Sequence, residues 1–450
     1  MIMSKEELSK LSVSTKQQRI AKIARQKMEE PLTQLSHYID EKWLRAAYSK
    51  LRKESAPGID AQTVEEYSYG IEEKLKKLLD QAMSGTYKAP PVRRVEIPKP
   101  GSQEKRPIGI PTTEDKILQK AIQMLLEPVY EQEFYEFSFG FREGKSQQHA
   151  LDYIWKKIMG NNIKWVIDLD IRKFFDSVKH DILQDLLSIR VRDGVVRRLI
   201  GKWLNAGIMK NRVISYPEEG TPQGGIVSPI LSNIYLHEAL DKWYMNEIRP
   251  KLKGRSFMIR YADDALLGFE SQKEAEYVLN GLKGRLSQYG LELHPEKTRM
   301  VYFGKPKQND GKSNQPKPGS FDFLGFTHYW GKSLKGFWIV KRKTAGKKFR
   351  EKLKNIKQWC KVNRHLPLIE QHKKLCQKVK GHYGYYGITG NTRSLSNYLN
   401  EVTKIWKKWL NRRSSQGYRL NWDKFNELID TYLPLPPVKV PHSIYRVAKP

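Results

Sequence analysis

Tyr261-Ala262-Asp263-Asp264 sets two adjacent carboxylates between apolar segments, Phe257-Met258-Ile259 before and Ala265-Leu266-Leu267-Gly268-Phe269 after. Such flanks predict a β-hairpin with both acids at its tip. Adjacent carboxylates repel, and a tight turn does not relieve that cost, so a multivalent cation suits the arrangement; an acidic turn left to water is the other reading. A second acidic segment, Ile163-Lys164-Trp165-Val166-Ile167-Asp168-Leu169-Asp170-Ile171, places Asp170 93 residues before Asp263. Its apolar run predicts a buried strand that delivers Asp170 into a cleft. Two strands ending in carboxylates can share two divalent ions about 3.5–4 Å apart, which stabilise the attacking and leaving oxygens of phosphoryl transfer. Asp168 lies on the same strand face as Asp170 and reads as either a supporting ligand or a structural acid.

The elements that must position these acids follow from periodicity. Residues 1–55 read as charged amphipathic helices, broken at Pro31 and again at Ala56-Pro57-Gly58-Ile59-Asp60. Val64, Tyr67, Ile71, Leu75 and Leu78 predict a helix over 61–84. Residues 91–112 alternate as two strands around Pro100-Gly101-Ser102, and Ile117 to Tyr130 returns to helix. The polar stretch Lys305 to Ser320 reads as a loop. Beyond Lys341 come three helical stripes: Ala345, Phe349, Leu353, Ile356 and Cys360; Leu368, His372, Leu375 and Val379; Leu395, Leu399, Val402, Trp406 and Trp409. Gly381-His382-Tyr383-Gly384-Tyr385-Tyr386-Gly387 reads as a turn whose tyrosines stack on RNA bases or fill a core, with core favoured for at least one. Leu433-Pro434-Leu435-Pro436-Pro437 is too Pro-rich for a helix and reads as a docked strap.

Composition bounds the partners. The chain has 450 residues, 39% of them apolar, enough for two or three domains with real cores. Its net charge is +32, and residues 331–450 carry 28 Lys and Arg against 6 Asp and Glu, leaving +10 for the rest. Self-repulsion of that size is tolerable mainly beside a polyanion, so the C-terminal quarter reads as a nucleic-acid surface. Cys360 and Cys376 have neither metal-ligand spacing nor disulfide density and read as core residues in a reducing cytoplasm. No signal-like segment opens the sequence, and nothing approaches the ~20 apolar residues of a membrane helix, so the expectation is a soluble cytoplasmic protein with no membrane partner.

The two acidic blocks resemble those of the reverse transcriptases, whose palm carries an Asp-x-x-x-x-Phe motif and a Tyr-x-Asp-Asp motif; Asp170-Ile171-Arg172-Lys173-Phe174-Phe175 and Tyr261 to Asp264 match both. The details are similar to the enzymes of bacterial group II introns. Arg93 to Pro100 with Arg106 to Thr112 resembles their fingers hairpin, and Phe137 to Arg142 their second block. Glu219 to Pro229 resembles their Pro-Gln-Gly block, Leu291 to Thr298 their Lys-bearing block, and Phe321-Asp322-Phe323-Leu324-Gly325-Phe326 the element that grips the primer. These blocks keep the family's order over about residues 55 to 410.

The resemblance implies an α+β right-hand polymerase. Residues 1–55 would be an N-terminal helical extension that contacts RNA, 56–160 fingers, 161–340 palm, 341–412 an all-α thumb (the maturase X domain) and 413–450 a basic tail. It implies an RNA-directed DNA polymerase with Asp170, Asp263 and Asp264 binding two Mg²⁺ ions, and with RNA template, group II intron RNA, DNA primer or target and dNTPs as partners. Lys99 and Arg106 are candidates for the triphosphate clamp, Arg106 offering the bidentate fork. Phe175 holds the family's position for the ring that blocks a ribose 2′-hydroxyl, and Phe174, its strand neighbour, would then be core. Gln223 and Gly224 would lie under the incoming nucleotide, and Leu324, Gly325 and Phe326 would form the primer grip. Lys297 either protonates pyrophosphate or makes a surface salt bridge. No Cys cluster or His-rich nuclease motif follows the thumb, so the zinc-stabilised endonuclease of some intron proteins is not expected, and mobility would need another primer than a self-made nick. A related polymerase without an intron, in phage defence or spacer acquisition, and a non-polymerising RNA-binding maturase are the alternatives.

Overall fold

The computed structural model describes residues 7, 11–98, 105–210, 213–216, 220, 224–306, 316–413 and 420–443. In chain order its main elements are helices α1 (Val13–Gln26), α2 (Glu41–Ser49) and α3 (Ile71–Ser84), strands β1 (Val92–Pro98) and β2 (Lys105–Ile110), and helices α4 (Thr113–Tyr130) and α5 (Gln147–Gly160). There follow β3 (Trp165–Leu169), α6 (His180–Arg190), α7 (Gly194–Leu204), β4 (Ile208–Lys210), β5 (Val213–Ser215), α8 (Ser228–Leu236), β6 (Ser256–Tyr261), β7 (Asp264–Phe269), α9 (Gln272–Gln288) and β8 (Arg299–Tyr302). The last are β9 (Phe321–Phe323), β10 (Phe326–Lys332), β11 (Trp338–Thr344), α10 (Gly346–Val362), α11 (Leu368–Tyr386), α12 (Thr392–Leu410) and α13 (Trp422–Glu427). Mixed helices and sheets make the chain α+β. It divides into two compact units, residues 1–146 with 169–299, and residues 147–168 with 300–450. Compactness thus groups segments that the motif order separates.

In the first unit, α4 is the central helix. Ile117, Leu118, Ala121, Ile122 and Leu125 are all buried, and Thr112 caps its start. The N-terminal helices pack on it: the Trp43 indole donates to Ala121 O at 3.0 Å, and Gln17 Nε2 to Met124 O at 3.1 Å. Burying these bulky side chains stabilises the pairing through lost water contact. A four-stranded sheet runs in the order β2-β1-β4-β5, with β1 antiparallel to β2 and parallel to β4. The hairpin expected over 91–112 therefore forms, although its Pro100-Gly101-Ser102 tip lies outside the described residues. The helix expected over 61–84 does not run through: Gly70 sits at φ +63, outside helical space, and α3 starts only after it.

The second unit joins the antiparallel sheet β11-β10-β9 to helices α10, α11 and α12. The three stripes read beyond Lys341 form its core, in which Ile356, Cys360, Leu375, Val379, Leu395, Val402 and Trp406 are buried together. The aromatic-glycine segment is not a turn: Gly381 to Tyr386 continues α11, because two glycines cost the helix less than Tyr383 and Tyr386 gain in that core. Tyr385 stays exposed. Leu433, Val438 and Val440 pack against the same core, and the Tyr383 hydroxyl donates to Pro436 O at 3.2 Å, so the Pro-rich strap is docked. The tail also holds α13, whose Phe425 is fully buried. Cys360 is buried and Cys376 half-buried, both as free thiols. Most of the expected 305–320 loop lies outside the described residues. No helix among the described residues is long and apolar enough to cross a membrane.

Candidate active site

Strands β6 and β7 pair from Ser256↔Phe269 to Tyr261↔Asp264, leaving Ala262 and Asp263 as a two-residue turn. Ala262 lies at φ +57, in the left-handed region where a Cβ costs roughly 1–2 kcal/mol. Something must hold it there, and Arg260 does. Its guanidinium donates to both carboxylate oxygens of Asp241, at 2.8 and 2.6 Å, to Asn233 Oδ1 at 2.8 Å and to Ala262 O at 3.1 Å. Arg260 and Asp241 are both fully buried. Burial alone would push the Asp241 carboxyl up, but Arg260 and His237 more than reverse it, and the group is held below the ordinary range. Asp241 ends a π-helical turn, His237–Asp241, that widens the helix following α8. Asn233 Nδ2 donates to Gly140 O at 2.7 Å, and a Cβ on Gly140 would stand 2.2 Å from Ala262 N. Only glycine lets the Phe137–Arg142 block approach the turn so closely.

Asp170 follows directly on the last residue of β3 and is pinned by the segment that carries Lys297. His294 N–H donates to Asp170 O at 2.8 Å, Asp170 N–H donates to Thr298 Oγ1 at 3.3 Å, and Arg172 N–H donates to Glu292 O at 2.8 Å. Lys297 Nζ lies 3.3 Å from each Asp170 carboxylate oxygen. Lys297 is exposed and Asp170 half-buried, so water still screens the pair and it contributes little to stability, about 0–1 kcal/mol. Asp263 is half-buried, and its carboxyl is raised above the usual range chiefly by that burial, with Asp170's charge adding to it. Its own backbone amide, Arg106 and Arg260 pull the other way without winning. Asp170, Asp263 and Arg106 therefore share one electrostatic neighbourhood, with Asp264 beside them as the exposed first residue of β7. All three acids offer carboxylate oxygens, and burial makes the anionic form of Asp263 costlier than it is in water. That set fits hard divalent ions.

The remaining candidates divide. Phe174 and Phe175 sit on one helical turn, Phe174–Ser177, entered through Lys173 at φ +46; helical rotation, not strand alternation, buries Phe174 and leaves Phe175 half-exposed. Gly224, at φ +116, brings its backbone so close to Gly109 that a Cβ would meet Gly109 O at 2.5 Å. Lys99 and Gln223 lie outside the described residues. Leu324 and Gly325 form a second two-residue turn, within the second unit, between β9 and β10 and closed by Phe323↔Phe326. Both residues have positive φ, +49 and +78, the signature of a type I′ turn, and leucine there is uncommon.

Sequence reasoning missed Arg260, Asp241 and Asn233. The signal was present: an arginine inside an otherwise apolar strand, two residues before the turn, is sustainable only with a buried counter-charge. Asp241's own signal was weaker, since an acid in a predicted helix reads first as a solvated face.

Residues 97–328, just over half of the chain, match the family model described as reverse transcriptase (RNA-dependent DNA polymerase). The chain is 39% identical over 236 residues to the group II intron-encoded protein LtrA of Lactococcus lactis subsp. cremoris, an alignment covering 51% of this chain and 38% of LtrA. It is 33% identical over 290 residues to protein YkfC of Escherichia coli K12, covering 57% of this chain and 73% of YkfC. To the nuclear intron maturase 4, mitochondrial, of Arabidopsis thaliana it is 27% identical over 151 residues, covering 33% and 19%. The chain thus spans well under half the length of LtrA.

Proposed function

The chain belongs to the reverse transcriptase family, and from that premise we propose that it copies RNA into DNA with Asp170, Asp263 and Asp264 as ligands of two Mg²⁺ ions, and that it serves a group II intron. The observation that carries the catalytic reading is that the Asp170 charge reaches the half-buried Asp263 carboxyl and raises it, with Arg106 acting in the opposite sense. When bound, the two ions would make the primer 3′-hydroxyl a better nucleophile and neutralise charge on the leaving pyrophosphate.

The chain's own residues do the rest. Arg106 offers a planar fork to a triphosphate. Phe175 stands half-exposed beside the acids in sequence and selects against a 2′-hydroxyl by its volume. Gly224, its backbone close against Gly109, would let a nucleotide approach the chain, and Lys297, 3.3 Å from an Asp170 carboxylate oxygen, would give a proton to pyrophosphate. Leu324, Gly325 and Phe326 grip the primer end, and α10, α11 and α12 serve as the thumb. The intron reading is supported by the names of the relatives, LtrA above all, and by the +22 net charge of residues 331–450.

Asp170→Ala and Asp263→Ala test the assignment in primer extension on an RNA template with magnesium, beside a melting curve. Each should abolish synthesis without lowering the melting temperature. Activity within about tenfold of wild type, ~1.4 kcal/mol of barrier, would defeat it.

A further inference from the structure

The aromatic-glycine segment at the end of α11 is unexplained by its core tyrosines alone, because Tyr385 is 41% exposed and contributes little to the core. Its hydroxyl donates to Leu324 O at 3.3 Å. Its ring lies nearly parallel to that of Phe326, centroids 6.3 Å apart and planes 5° from each other. The neighbouring Tyr386 packs on Phe326 as well, centroids 5.3 Å apart, and its hydroxyl stands where a Cβ on Gly325 would come within 3.2 Å. Ala345 N–H donates to Gly325 O at 2.9 Å. Both peptide carbonyls of the strained Leu324–Gly325 turn are therefore held, one by backbone and one by the Tyr385 hydroxyl.

The end of α11 that presents Tyr385 is itself fastened. Gln147 Nε2 donates to Tyr385 O at 3.1 Å, and Asn391 Nδ2 to Tyr386 O at 2.8 Å. The chain that continues from the strap joins the same helix end: His442 N–H donates to Gly387 O at 3.0 Å and Thr389 N–H to His442 O at 3.0 Å.

We propose that Tyr385 is a positioning residue that fixes the Leu324–Gly325 turn so that it can grip a primer end, with His442, beyond the strap, tying down the helix end that presents it. The proposal rests on reading Leu324–Phe326 as the primer grip. A non-glycine turn in left-handed space relaxes unless its carbonyls are held, and an exposed phenol over such a carbonyl supplies hold without burial. A tyrosine serving only the core would be buried, as Tyr383 and Tyr386 are.

The test is primer extension at varied primer–template concentration, with Tyr385→Phe, Tyr385→Leu, Leu324→Asn and Gly325→Val, melting curves, and amide exchange over residues 321–330. Tyr385→Phe keeps the ring and removes only the donor. It should raise KM for primer–template about fivefold, on the order of one net hydrogen bond, with kcat and melting temperature nearly unchanged and faster exchange at the turn. Tyr385→Leu should raise KM further. If Gly325→Val or Leu324→Asn raises KM while Tyr385→Phe leaves KM and exchange within twofold of wild type, the grip stands and Tyr385 does not position it. Should the Gly325 and Leu324 variants, folded by their melting curves, also leave KM unchanged, the primer-grip reading itself is wrong. A joint fall of kcat and melting temperature in Tyr385→Phe would make Tyr385 merely structural and overturn the proposal.

Discussion

Two hairpin tips in this chain, Ala262–Asp263 and Leu324–Gly325, share a backbone device and differ in what holds it. Each is a two-residue turn with a non-glycine at positive φ, Ala262 at +57 and Leu324 at +49. The first is braced by a buried ion pair, Arg260 with Asp241, that also reaches Ala262 O. The second is braced by neutral groups: the Tyr385 hydroxyl, the Ala345 amide and the Tyr385 ring stacked on Phe326. A charged brace holds hard and fails hard, because losing one partner strands a charge away from water. A neutral brace loses about one hydrogen bond at a time, ~1 kcal/mol each. The tip that carries Asp263 is held by the stiffer means, as the metal-ligand role proposed for Asp263 would demand.

The sharpest test of that contrast is Arg260→Met. Alone, it leaves Asp241 buried with only His237, 3.6 Å away, beside it and should destabilise the protein by about 3–5 kcal/mol. Arg260→Met with Asp241→Leu removes both charges and should recover most of that loss while leaving Ala262 O without its donor. Chemical denaturation of the single and double variants measures the first expectation, and primer extension of the double variant the second. A double variant as unstable as the single one would mean that packing, not charge, holds the tip.

Much of the first tip was legible in sequence, and its brace was not. Two carboxylates between apolar flanks state a hairpin turn by local pattern alone, and Asp170 at a strand's end needs only the strand to be placed. Arg260's partner is another matter, since pairing it with Asp241 requires knowing how the π-helical turn packs under β6. The second tip shows the same limit. Leu-Gly between short strands signals a turn, yet Tyr385 lies 61 residues from Leu324, beyond the reach of any local pattern. The three C-terminal helices were plain because one stripe of buried residues repeats through each; glycines at 381 and 384 misled because local propensity lost to the burial of Tyr383 and Tyr386.

Acid separates the two units with different signs. His382, near the second tip, is buried, and with Lys352 nearby its pKa falls to about 4; burial and then Arg342 bring His328 down to about 3. A histidine whose folded pKa lies below its unfolded value of about 6.5 stabilises the fold above that pH, and the contribution is lost as pH falls toward the folded value. At pH 5 this is up to about 2 kcal/mol for each histidine. In the first unit Asp241, held below its ordinary range, loses its contribution only below about pH 4. Asp115, raised to about 6 by burial despite bonds from Tyr87 and Trp203, works in the opposite direction: its folded form holds the proton more tightly, so stability rises as pH falls from 6 toward 4. Amide exchange corrected for intrinsic rate should therefore show the second unit loosening between pH 7 and 5 while residues 113–130 and 256–269 hold or tighten. Parallel loss in both units would erase the distinction.

The smallest effect discriminates most finely between strain that serves a purpose and strain that merely persists. Replacing Ala262 or Leu324 by glycine relieves a left-handed Cβ, worth roughly 1–2 kcal/mol, and returns about 0.5–1 kcal/mol as chain entropy of the unfolded state. The net should be stabilisation of up to about 1 kcal/mol at Ala262, whose side chain is a single methyl. At Leu324 glycine also loses whatever apolar area its half-buried side chain covers, so the gain shrinks toward zero. The functional consequence should run the other way. Ala262→Gly keeps the Arg260 donor on a more permissive peptide and should cost little kcat, because the charged brace, not the methyl, fixes the turn. Leu324→Gly removes a side chain proposed to touch the primer and widens the range of a turn held by weaker bonds, so KM for primer–template should rise while kcat stays near wild type. Equal kinetic losses at both tips would show that stiffness resides in the turn residues themselves, and the contrast between charged and neutral braces would then explain stability without explaining function.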